Sequence, residues 1–227
     1  MNQLLEHLSI LDIYALVWFV VCWVGYSFVA DHTPLKRYSV STAMAIYRRQ
    51  WMCQMIEREI RIYDAQLQGN LLQGMVFFST TTILAIGGLL ALLGSADQAI
   101  EFLSDLPYVG QGNRTAWEIK VLMLVLVFIY AFFKFAWAFR LANWNSILFG
   151  AAPVVDSTSE KGSRYVETAT LINRLSSSNF NRGIRAYFFA LAGLSWFLDT
   201  KLFIVATALV LLVLINREFR TRIVAQI

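Results

Sequence analysis

Long apolar runs separated by clusters of charge give the chain its pattern. Residues 13–30 (IYALVWFVVCWVGYSFVA) carry no charge, and a helix needs about 20 such residues to cross roughly 30 Å of hydrocarbon. Extended to about residues 8–30, this run predicts a first span. Residues 71–94 (LLQGMVFFSTTTILAIGGLLALLG) are also uncharged and predict a second. A third covers about 116–139, with Glu118 and Lys120 near one end, Lys134 near the other, and Trp117 and Trp137 placed for the two interfaces. The last apolar stretch, 184–215, would be about 48 Å long as one straight helix, too long for one crossing. Asp199-Thr200-Lys201 interrupts it, so the pattern predicts a helical hairpin of two short arms, 184–198 and 202–216.

Two more polar segments, 31–70 and 140–183, lie between these spans. In the first, a helix from about Ser41 places Met44, Tyr47, Trp51, Met55 and Ile62 on one stripe and cations on the other face, with Glu57 and Arg61 as an i,i+4 pair. In the second, Ser157-x-x-Glu160 reads as a capping box opening a helix to about Leu175, with Glu160 and Arg164 paired, and Ser176 to Asn179 as its break. The fold expected is all-α: one membrane domain, a polytopic helix bundle of four or five spans, five favoured, with amphipathic helices on the cytoplasmic side. Five crossings with the N-terminus outside leave only Arg114, Lys120 and Lys201 of the 19 Lys and Arg on the outer face, in keeping with the positive-inside rule, and make the C-terminus cytoplasmic.

Composition agrees with this pattern. Of 227 residues, 58% are apolar, and that surplus has to face lipid. Cys22 and Cys53 have no metal-like or redox spacing. The N-terminal segment has no Lys or Arg before its apolar run and does not read as a removable signal peptide.

Candidate chemistry is sparse. Arg48, Arg49, Arg58, Arg61, Arg182 and Arg185 are expected at the inner headgroup level as anionic-lipid contacts or as topology determinants. Ser79, Thr80, Thr81 and Thr82, with Lys134, are candidates for a polar path or for helix packing. Asp12, Glu118, Lys120, Asp199 and Lys201 fall at similar depth on the outer side and form a candidate charged cluster, either a vestibule or a set of helix-end charges. No catalytic residue, metal site or cofactor is predicted. The two histidines, His7 and His32, fall on opposite sides, and no nucleophile elbow, zinc motif, Walker loop or dinucleotide fingerprint occurs. Asp31 and His32 with Glu57 or Asp64 would be the one carboxylate and imidazole site at the inner interface. Nucleic acid is not an expected partner, because the basic residues follow the membrane edge.

Three segments, WMCQMIEREIRIYDAQL, FFSTTTILAIGGLLALLG and NFNRGIRAYFFALAGLSWFL, together resemble the bacterial branch of the membrane family labelled domain of unknown function 599. Arg58 to Asp64, Ser79 to Gly88 and Asn179 to Tyr187 carry the likeness most specifically. The resemblance implies a multi-helix protein of the bacterial inner membrane and brings no active site with it. The leading functional expectation is a non-catalytic structural, accessory or anionic-lipid-binding protein, expected as a homo-oligomer. A homo-oligomeric channel or transporter with a path along the second span, or an enzyme acting on a lipid, are the alternatives.

Overall fold

The computed structural model describes residues 8–34, 38–104 and 113–219, and these are helical apart from short connections. In chain order the helices are α1 (Ile10–His32), α2 (Val40–Glu57), α3 (Ile62–Gly94), α4 (Ala96–Ser104), α5 (Arg114–Ala151), α6 (Glu160–Gly193), a 3-10 turn (Leu194–Phe197) and α7 (Thr200–Phe219). Local sequence chemistry sets most starts, since an oxygen-bearing side chain just before a helix can accept one of its unpaired N–H groups. Ser9 opens α1 as a reciprocal capping box with Asp12. Ser39 accepts from Thr42 N at α2, Asn113 from Thr115 N at α5, and Asp199 from the N–H of Lys201 and Leu202 at α7.

Among the described residues four helices are long and apolar enough to cross a membrane: α1, α3, α5 and α7. In the most apolar window of α3 only 11% is buried inside the protein, so the protein itself leaves most of its apolar surface uncovered. The expected hairpin has its turn where Asp199 interrupts the last apolar stretch. Its first arm, however, is the end of α6, which carries Glu160, Lys161, Arg164, Glu167, Arg174, Arg182 and Arg185 and is not one of the four apolar helices.

The polar segments fold differently from the expectation. Within them α2 is a separate helix, whereas residues 62–70 begin α3, 140–151 end α5 and 160–183 begin α6. Ser176 to Asn179 do not break α6, because their polar groups are satisfied within the packing: Ser176 Oγ donates to Ala138 O (2.8 Å) and Asn179 Nδ2 to Leu175 O (2.9 Å). The cap of α6 is Ser159, two residues after the expected one, and accepts from Gly162 N. Ser157 instead donates its backbone N–H to Glu57 (3.2 Å). Glu57 and Arg61 form no pair, since α2 ends at Glu57; Ile62 likewise begins a new helix rather than continuing the α2 stripe. Glu160 and Arg164 do pair, at 2.6 Å.

Helix α5 lies between α3 and α6, α1 packs on α6 and α7, and α2 lies on α6. Along α5 and α6 the contacts run antiparallel from Leu148 and Tyr165, through Ala138 and Ser176, to Phe128 and Tyr187. The starts of α1, α5 and α7 therefore meet the end of α6 at one end of the bundle, called the Asp12 end here. The other, the Asp31 end, holds the end of α1, α2 and the start of α6. An aromatic core fills the Asp12 half, where Trp196 stacks on Phe203 (4.9 Å) and Phe203 lies against Phe19 (5.4 Å). A smaller core at the opposite end joins Met52, Met55 and Ile56 of α2 to Phe149, Val166 and Ala169.

Candidate functional site

Two arginines one turn apart on α6 converge on one carboxylate at the end of α1. Arg182 Nε donates to Asp31 Oδ2 and Arg185 Nη2 to Asp31 Oδ1, both at 2.7 Å. The i,i+3 spacing puts both guanidinium groups on one helix face, so a single acid can bind both. The Asp31 and Arg185 side chains are 10% and 11% exposed, and Arg182 is 33% exposed. Arg185 also lies over the Tyr26 ring (5.7 Å), and the Tyr26 hydroxyl donates to Leu214 O (3.2 Å), which ties α7 to the same cluster.

Beside this cluster a cavity of about 280 Å³ opens between α1, α2, α6 and α7. Arg48, Arg185, Arg217 and Glu218 supply its charges, and Tyr26, Ser41, Ser177 and Asn181 its uncharged polar groups. Asn181 Nδ2 donates to Ser41 Oγ (3.1 Å), and Ser41 N donates to Glu218 (3.4 Å). Arg48 is half-buried, and burial pushes its guanidinium below the ordinary arginine range. It stays charged all the same, because no protein environment deprotonates arginine near neutral pH. Among the described residues Arg48 has no ion-pair partner.

The other predicted arginines are placed differently. Arg58 pairs with the fully buried Asp64 (3.1 Å), which also accepts from Trp51 Nε1 (2.7 Å). Arg61 caps the end of α5: it donates to the carbonyls of Phe149, Ala152 and Pro153, as well as to Met55 at the end of α2 and Arg58 of its own loop. The last carbonyls of a helix have no partner within it, so at the end of α5 the guanidinium takes the place of a capping motif. Arg49 is exposed. The carboxylate and imidazole grouping does not assemble, since Asp31 is held by arginines and His32 stacks on Phe28 (5.3 Å). No group of three or more metal-ligating side chains occurs among the described residues.

At the Asp12 end the predicted cluster comes together in part. Asp12 is 8% exposed and accepts from Trp196 Nε1 (2.7 Å) and Thr200 Oγ1 (2.6 Å). Lys120 stands 3.8 Å from the same carboxylate and donates to Trp196 O (3.1 Å). Glu118 turns instead to Arg114, which also holds Asp97. Asp199 caps α7, and Lys201 is exposed. This is a latch joining α1, α5 and the α6–α7 turn, with Asp12 fully engaged. On α3, Thr81 and Thr82 both donate to Phe78 O (3.1 and 2.6 Å), Ser79 Oγ is buried without a partner, and Thr80 is exposed. Lys134 lies over the Tyr130 ring (5.4 Å).

Sequence reasoning named Arg182 and Arg185 but not the role of Asp31 as their shared anchor, nor Tyr26, Ser41 and Asn181 around the cavity. The i,i+3 arginine spacing was the available signal; the other residues come from helices whose neighbours the pattern does not reveal. The model of a family described as "Protein of unknown function, DUF599" matches residues 14–223. No curated protein and no solved structure matches the chain.

Proposed function

We propose, for a chain that belongs to the DUF599 family of proteins of unknown function, that it is a non-catalytic protein of the bacterial inner membrane whose Asp31 end engages anionic lipid. One observation carries this reading. At the Asp31 end Arg48, Arg49, Arg140 and Arg174 make no ion pair among the described residues, whereas at the Asp12 end Arg114 and Lys120 stand against carboxylates. Uncompensated arginines beside a negatively charged leaflet gain about 1 kcal/mol each. The alternative of a polar path along α3 has less support, because Thr81 and Thr82 bond back to their own helix. For the test, the full chain is reconstituted in nanodiscs of mixed phosphatidylglycerol and phosphatidylcholine and its retained lipid is read by native mass spectrometry. Enrichment of phosphatidylglycerol that weakens with added salt is the expected result. Equal retention of the two lipids overturns the reading.

In this reading the chain crosses five times, with α6 from about Arg182 onward as the fourth crossing, the Asp12 end outside and the C-terminus cytoplasmic. Charge supports the orientation, because the opposite one puts sixteen of the 19 Lys and Arg on the outer face. Lys201 is the position to label, because it is exposed while the neighbouring Thr200 hydroxyl is bound to Asp12. With Cys22 and Cys53 replaced, Lys201→Cys should react with an impermeant thiol reagent in intact cells. A fluorescent protein fused at the C-terminus should fold and fluoresce. A protected Lys201→Cys with an external C-terminus rules out five crossings.

A further inference from the structure

We infer that the cavity between α1, α2, α6 and α7 is a phosphate-binding site, with Arg48 as its primary cation and Ser41 as a hydrogen-bond donor. This inference rests on the reading that the Asp31 end meets anionic lipid, and it assigns one residue set and one chemical group to that contact.

Charge selects an anion. Among the described residues four arginines stand in or beside the cavity (Arg48, Arg182, Arg185 and Arg217) against two carboxylates, Asp31 and Glu218, and Arg48 pairs with neither. Arg48 is the arginine whose fork remains available: burial has removed part of its water, and no acidic side chain among the described residues replaces it. Arginine forks match phosphate oxygens bidentately, and a desolvated guanidinium gains most from such a partner. Hydrogen-bond direction points the same way. Asn181 donates to Ser41 Oγ, which occupies an acceptor position on that hydroxyl. The Ser41 O–H hydrogen has no acceptor among the described residues and is left to donate, as an anion requires.

The remaining partners are held in place. Arg185 is fixed by Asp31, and the Tyr26 hydroxyl is occupied by Leu214 O, so the wall beside Arg48 is built before any ligand arrives. At about 280 Å³ the cavity is at the small end for ligand pockets, which suits a headgroup phosphate with its chains outside rather than a whole lipid.

The site is tested on the full chain in phosphatidylcholine nanodiscs doped with phosphatidylglycerol, comparing wild type with Arg48→Ala, Arg48→Lys, Ser41→Ala and, as a control for lost charge at the same end, Arg164→Ala. Native mass spectrometry of the detergent-released protein is expected to show one phosphatidylglycerol that resists exchange in wild type and in Arg164→Ala. Arg48→Ala should lose it about tenfold more readily, with Arg48→Lys in between because charge survives and the fork does not. Ser41→Ala, which leaves every charge in place, should weaken retention as well and guards against a misfolded Arg48 variant. Inorganic phosphate is then added. Displacement of the held lipid in wild type but not in Arg48→Ala assigns the site to phosphate groups from either source; no displacement assigns it to the lipid headgroup alone. If Arg48→Ala and Ser41→Ala retain lipid as Arg164→Ala does while overall phosphatidylglycerol enrichment persists, the cavity assignment is overturned and the broader reading stands. If enrichment is absent in wild type, the broader reading itself falls.

Discussion

Replacing Asp31 with alanine is expected to destabilise the protein by about 3–5 kcal/mol, the cost of leaving a buried ion pair with one partner missing. Both arginines lose their acid, but not equally. Arg182, one third exposed, can extend toward headgroups or water, whereas Arg185 is 11% exposed and packed over Tyr26. Most of the loss should therefore come from Arg185. That yields a sharper expectation: adding Arg185→Leu to Asp31→Ala recovers stability, because it removes the unpaired charge, whereas adding Arg182→Leu recovers little. Thermal unfolding of wild type, Asp31→Ala, each single arginine variant and the two double variants in one detergent, with yield from the membrane fraction as a second readout, gives the coupling of Asp31 to each arginine as a double-mutant cycle. Were Asp31→Ala to unfold at the wild-type temperature, the cluster would not be holding α1 to α6.

Much of the architecture can be read from the pattern because hydrocarbon imposes its own period and length on a chain. The apolar runs correspond to α1, α3, α5 and α7, and Asp199 marks the turn between α6 and α7. Helix ends away from the hydrocarbon are less legible. Arg61 looks like a surface cation at i,i+4 from Glu57, yet it closes the end of α5, about 90 residues away in sequence. The run from Ser176 to Asn179 looks like a break, since its polar side chains compete with the helix for backbone groups. Packed against α5, the Ser176 hydroxyl finds the Ala138 carbonyl and the helix continues. In each case a polar group's meaning depends on a partner from a distant segment, and a single sequence does not carry that pairing.

The candidate site shows the same division. That arginines gather at one end is visible in their spacing along the chain. Which of them remain available is a tertiary fact: Asp64 takes Arg58, the α5 carbonyls take Arg61, and Asp31 takes Arg182 and Arg185. Arg48 stands apart because α2 lies on α6 and turns it toward a cavity whose acid, Glu218, accepts from Ser41 N and makes no ion pair with it. The charges at the Asp12 end divide likewise, with Asp12 and Lys120 joined at the α6–α7 turn and Glu118 drawn to Arg114.

The close approach of α5 and α6 gives the second large effect, at Gly183. A Cβ built on Gly183 would stand 2.5 Å from Phe135 Cε1 and 2.7 Å from Cδ1, well inside contact distance. Phe135 cannot easily yield, because its ring is fully buried and lies against Phe78 (5.6 Å) and Phe180 (5.6 Å). A methyl group there must push the two helices apart or turn the ring off its rotamer, and overpacking of this kind costs about 1–3 kcal/mol. Gly183→Ala is thus expected to destabilise, against the usual gain of an alanine over a glycine within a helix. Gly183→Leu should prevent accumulation altogether. Space at Phe135 is the remedy if the clash is the cause: Phe135→Leu alone should destabilise through its cavity, and combined with Gly183→Ala it should cost less than the two changes summed. Gly88 supplies the control, since a Cβ there meets nothing within 4 Å and α3 faces outward at that point. Thermal unfolding should leave Gly88→Ala near wild type or slightly above it. An equal response at Gly88 and Gly183 would mean that the helix crossing is looser than its geometry requires.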